Sequence, residues 1–75
     1  MKSVGIGFIG AGFSASLHVH GLHEVPNARL VAVTATRRER AEAFARQHGV
    51  ARVHDDWRTL LADPEVDMVS ICVPN

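Results

Sequence analysis

VGIGFIGAGFSA, residues 4–15, is the stretch on which the reading of the whole chain turns. Val4, Ile6 and Phe8 alternate with Gly5, Gly7 and Ile9. That period-two pattern is a strand whose glycine side admits a close neighbour. GAGFSA, residues 10–15, follows at once and reads G-x-G-x-x-A at the junction between this strand and a helix. Each small residue there has a physical use. Gly10 permits a tight turn, Gly12 lets main chain approach a diphosphate with no side chain between, and Ala15 lets helix and strand pack closely. The N–H groups at the start of the helix, including those at Phe13 and Ser14, face a phosphate with the positive end of the helix dipole behind them. A dinucleotide is the ligand this pattern predicts. A purely structural glycine turn, or a site for another nucleotide-type ligand, is the competing reading.

Outward from that stretch, strands and helices alternate. Ala15, His18, Val19 and Leu22 fall on one helical stripe within residues 13–25, which Pro26 and Asn27 end. Gly21 inside it reads as a point of close packing against the sheet. Residues 30–35 are a nearly continuous apolar run, as in a parallel strand covered on both faces. Thr36 and Glu39 have the spacing of a capping box; Ala41, Phe44, Ala45 and His48 follow at helical intervals, and Gly49 is the stop. Residues 52–54 form a short strand, and Asp55 or Asp56 caps a two-turn helix with Trp57, Leu60 and Leu61 inward, ending at Asp63 and Pro64. A last apolar strand covers residues 67–73.

The order βαβαβαβ predicts an α/β fold, half of a Rossmann-like doubly wound parallel sheet with strand order 3-2-1-4 and right-handed crossovers. The first two helices cover one face and the third crosses to the other. The order reverses between strands 1 and 4, so Gly10 and Pro74 flank the expected crevice.

Composition sets the outer limits. The chain has 75 residues, 47% apolar and 21% charged, with eight basic residues balancing eight acidic ones. This is the balance of a small globular domain. With no net charge and no aromatic–basic interleaving, binding to nucleic acid or a polybasic attachment to membrane is not expected. No run reaches the roughly 18 apolar residues of a membrane span. The glycines at 5, 7, 10 and 12 argue against reading the opening as an export signal. One cysteine allows no intrachain disulfide, and an intracellular, cytoplasmic location is expected.

Cofactor choice in such folds is written after the second strand, where an acidic residue binds the ribose 2′-hydroxyl of NAD. Here the sequence is Thr34-Ala35-Thr36-Arg37-Arg38. Arginines can pair with a 2′-phosphate, which predicts NADP rather than NAD. The competing reading makes Thr36 a helix cap and Arg37 and Arg38 a solvated first turn. The five histidines give no compact ligand set: His18 and His20 diverge on a helix, His20 and His23 lack a third partner, and His18 falls on the buried stripe. Cys72 sits in an apolar strand and reads as core, and the Asp55–Asp56 pair as capping. No catalytic residue and no metal site is assigned.

These segments together resemble the N-terminal portion of the glucose-fructose oxidoreductase/inositol dehydrogenase/rhizopine catabolism (Gfo/Idh/MocA) family. The resemblance is carried by IGFIGAG at 6–12 with Ala15, His18 and Leu22, LVAV at 30–33, RAEAFA at 40–45, DDWRTLL at 55–61 and VDMVSICVPN at 66–75. It implies an NAD(P)-dependent oxidoreductase moving a hydride between nicotinamide and a sugar, polyol or related carbonyl compound. It also implies that Pro74 and Asn75 lie near the nicotinamide. Ala35 departs from the family pattern, in which many relatives carry an acid. The family's catalytic Glu-Lys-Pro motif and its substrate domain fall beyond residue 75. On this reading residues 1–75 are part of a nucleotide-binding domain, inactive alone, and the bare fourth strand and sheet face favour self-association. A non-catalytic dinucleotide-binding regulatory module is the alternative, and a sheet binding S-adenosylmethionine a third reading.

Overall fold

The computed structural model describes residues 3–10, 19–22 and 25–72. Strands β1 (Val4–Ile9), β2 (Ala28–Thr34), β3 (Arg52–Val53) and β4 (Met68–Ile71) form one sheet in the order β3-β2-β1-β4, every pair parallel. A helical stretch at residues 19–22, α1, precedes β2. Helices α2 (Arg38–His48) and α3 (Trp57–Leu61) follow β2 and β3. The expected topology is the observed one.

Side-chain alternation along β1 divides the core in two. Ile6 and Phe8 point to the face that carries Val19 of α1 and Ala41 and Phe44 of α2, with the Phe8 and Phe44 rings edge to face at 5.5 Å. On the other face Leu60 of α3 packs with Val31 and Ala32, flanked by Ile9, Val66 and Val69. The glycines of β1 are what bring α3 and the segment after it so near. A Cβ built on Gly5 would lie 1.8 Å from the Glu65 carbonyl oxygen, and one on Gly7 would lie 2.8 Å from Leu60 Cδ2. Gly5 is therefore packed backbone against backbone. Between Ile6 and Gly7 the register with β2 slips from Leu30 to Ala32, so Val31 has no partner across the ladder.

Polar groups tie the amino ends of the strands together. Asp67 Oδ2 accepts from Gly5 N at 2.8 Å while the Asp67 amide donates to the Gly5 carbonyl at 2.8 Å. Asp63 is buried and accepts from Arg52 Nε (2.9 Å) and Nη2 (3.2 Å), the Glu65 amide (3.0 Å) and His54 Nε2 (2.9 Å). Arg52 and Arg29 both reach Glu65, at 3.2 and 3.5 Å.

Three local expectations are corrected. Thr36 is not a cap: α2 starts at Arg38 with Arg37 extended at the cap position and no side-chain cap bond. Arg37 rather than Thr36 holds the extended cap conformation, with φ −114° and ψ 130°, which leaves Thr36 outside the helix. Gly21 does not pack against the sheet, because it is exposed and an added Cβ would meet nothing within 4 Å among the described residues. Leu60 alone of the α3 trio is buried, with Trp57 and Leu61 each 50% exposed. A five-residue helix makes little more than one turn and aims one side chain at the gap over Gly7. The Trp57 ring lies against the Arg58 guanidinium, 5.4 Å away. On β4, Met68 and Ile71 are exposed, on what alternation makes opposite faces.

Candidate functional site

All four strands end at the same edge of the sheet, and of the sequence-predicted residues Gly10, Thr36, Arg37 and Arg38 follow the ends of β1 and β2 there. β1 ends between its neighbours: the Gly10 amide donates to the Thr34 carbonyl at 2.8 Å, and the Cys72 amide donates to the Ile9 carbonyl at 2.8 Å. Gly10 is buried and has φ 106°, a conformation open to glycine and strained for any residue with a Cβ. Gly10 thus ends β1 at the point where strand order reverses toward β4. Gly12, Phe13, Ser14, Ala15, Pro74 and Asn75 lie outside the described residues, as does His18.

Beside Gly10, the segment after β2 carries Ala35, half-buried, then Thr36, Arg37 and Arg38, all exposed. The two arginines differ in their partners. Arg37 Nη1 stands 3.9 Å from Glu39 Oε1, beyond hydrogen-bond range. Arg38 is held twice, through Nε to Glu42 Oε2 at 3.2 Å and through Nη1 to Asp55 Oδ1. Hydrogen bonding to Asp55, then to Glu42, raises its pKa above the ordinary guanidinium value.

The Asp55–Asp56 pair divides its work. Asp56 caps α3, accepting from the Arg58 amide at 2.8 Å, while Asp55 turns to Arg38. The second role is invisible in the sequence, where the partners stand 17 apart. Only the side-by-side placement of the β2 and β3 ends brings them together.

Asp63 and His54 form a close acid–histidine pair, 2.9 Å apart. Arg52, then the Glu65 amide, then His54 hold the Asp63 carboxyl well below the usual carboxylate range. All these bonds are internal ties between β3 and the α3–β4 connection. Cys72 is a buried thiol 3.3 Å from Ser70 Oγ. Among the described residues no three His, Cys, Asp or Glu side chains come together as a metal set, and no helix is long and apolar enough to cross a membrane.

The described part of this edge fits a dinucleotide. Gly10 ends β1 with no side chain, and the exposed guanidinium groups of Arg37 and Arg38 follow β2, donors that an anionic nucleotide could use.

Residues 4–75 match the family described as "Oxidoreductase family, NAD-binding Rossmann fold" (GFO_IDH_MocA). An oxidoreductase of Bacillus subtilis, YrbE, is 33% identical over 73 residues, covering 97% of this chain and 21% of its own length. A levoglucosan dehydrogenase solved with NADH and L-sorbose superposes with a TM-score of 0.92 at 26% identity, over all of this chain and 22% of that one. A myo-inositol dehydrogenase from Lactobacillus casei, solved with NAD(H) and myo-inositol, gives 0.85 at 36% identity, over 95% of this chain and 22% of that one. The chain thus spans about a fifth of the length of these relatives.

Proposed function

The chain belongs to the Gfo/Idh/MocA oxidoreductase family, and from that premise we propose that it is the nucleotide-binding part of an enzyme transferring hydride between a nicotinamide and a sugar, polyol or related carbonyl compound. Residues 1–75 form part of the Rossmann domain, and the segment alone is inactive. Positioning of the substrate accounts for much of the barrier reduction in such a reaction, and the groups that would do this are not among its residues.

The observation that carries the reading is Gly10: buried, at φ 106°, and tied to Thr34 where the strand order reverses. In our assignment the main chain of Gly10, Gly12, Phe13, Ser14 and Ala15 holds the diphosphate. Thr36, Arg37 and Arg38 surround the adenosine ribose, and Pro74 and Asn75 border the nicotinamide. The bound dinucleotide supplies the hydride acceptor or donor, and this chain holds and orients it. NADP is preferred over NAD, because Ala35 offers no carboxylate to a 2′-hydroxyl while the arginines can neutralise a 2′-phosphate. A reducing, cytoplasmic setting suits the single buried thiol.

Calorimetric titration tests this directly. NADPH should bind about tenfold more tightly than NADH, as expected for one or two charge-assisted hydrogen bonds. Equal affinities would refute the arginine argument, and a Gly12→Val variant with unchanged affinity would refute the site. The bare apolar side chains on β4 and α3 (Met68, Ile71, Trp57 and Leu61) support self-association through the β4 edge or the exposed sheet face. Light scattering should then give a mass that rises with concentration, and a constant monomer mass would exclude it.

A further inference from the structure

We propose that Asp55 is a specificity-determining residue, which by neutralising Arg38 leaves Arg37 as the reader of a 2′-phosphate and limits the preference for NADP over NAD. The inference rests on the dinucleotide site proposed above. Its origin is the unequal treatment of two adjacent arginines. Arg38 faces two carboxylates, Asp55 at Nη1 and Glu42 at Nε, so the three side chains together carry one negative charge. A phosphate monoester near neutral pH carries a charge of about −1.5 to −2. It would meet this group as a net repulsion, with the Nε and one Nη1 donor of Arg38 already given to carboxylates. Arg37 and Glu39 sum to zero and are 3.9 Å apart, so no bond need break before Arg37 engages an anion. Arg37 also occupies the extended cap position, with 69% of its side chain exposed.

Asp55 is the adjustable member of the group. Glu42 is on the same helix as Arg38, one turn on, and its pairing is local. Asp55 comes from the loop after β3, is 74% exposed, and has Arg38 as its ion-pair partner among the described residues. Removing its charge frees a guanidinium without touching the core.

The test titrates 2′-AMP and 5′-AMP into the protein and its variants at low salt. Asp55→Asn should raise the ratio of 2′-AMP to 5′-AMP affinity about three- to fivefold, the size of one exposed ion pair. The gain should vanish when Arg38→Ala is added, and Glu42→Gln should raise the ratio less. An unchanged ratio in Asp55→Asn overturns the proposal. So does a fall, which would mean that Asp55 aims Arg38 at the phosphate. A ratio near one in the unaltered protein would instead defeat the NADP reading, and a gain in Asp55→Asn that depends on Arg38 would still uphold the role of Asp55. Failure of every variant to bind either nucleotide removes both.

Discussion

The two ends of the sheet use charge in opposite ways. At the amino end, Asp63 and Asp67 place their oxygens on backbone amides, Arg52 and His54, so donors and acceptors are satisfied within the fold. At the carboxyl end Arg37, Arg38 and Asp55 stand mostly in water, and Arg37 has no hydrogen-bonded acid. Carboxylates bonded to backbone amides, Asp63 buried and Asp67 exposed, hold structure, whereas exposed cations after β2 are available to a ligand. Two adjacent arginines on one turn can still belong to different categories, because partners rather than residue type decide.

The largest test of this contrast strikes the amino end. Gly5→Val should abolish cooperative folding, since its Cβ would lie 1.8 Å from the Glu65 carbonyl oxygen and backbone would have to move. Thermal denaturation followed by circular dichroism checks this, and the expected loss exceeds about 3 kcal/mol. Next in size, Asp63→Asn should lower Tm by several degrees near neutral pH and remove part of the acid sensitivity. The sign follows from the lowered carboxyl pKa: the unfolded chain binds the proton more readily than the folded one. The stabilisation is therefore complete above about pH 5, where an unfolded aspartate is ionised, and is lost as pH falls through the folded value. Melting curves from pH 7 down to about pH 2 should show the variant flatter over the acid range.

At the other end Arg37→Ala should leave Tm within about 1 °C while lowering 2′-AMP affinity about tenfold and 5′-AMP affinity hardly at all. A fall in Tm comparable to that of Asp63→Asn would erase the distinction between the ends. The smallest effect belongs to neither. Gly21→Ala should raise stability by about 0.8–1 kcal/mol, because the position is helical, exposed and free of neighbours within 4 Å among the described residues. Urea denaturation would measure it.

Most of the architecture was legible because it rests on periodicity. The alternation of Val4, Ile6 and Phe8 with Gly5, Gly7 and Ile9 announced one bulky face and one open face, and each face holds the helices that alternation assigns to it. What escaped depends on distances that no spacing records. Thr36 has the right interval from Glu39, yet Arg37 is the residue that holds the extended cap conformation. Trp57 and Leu61 had helical spacing with Leu60, but a helix this short buries one residue, not a stripe. Gly21 packs against nothing among the described residues, and a glycine in a helix carries no sign in the sequence of whether anything lies beside it. Of the site, Gly10 and the arginine pair could be named from residue type and position. The partner of Arg38 could not, because Asp55 reaches it across two loops from different strands.

The contact between Gly5 and Glu65 bears on how the gene can vary. Every missense change reachable by one nucleotide from a glycine codon adds a Cβ, and the carbonyl already fills that space. A deep mutational scan should therefore be empty at codon 5 for protein abundance, while codon 21, also glycine, accepts alanine freely.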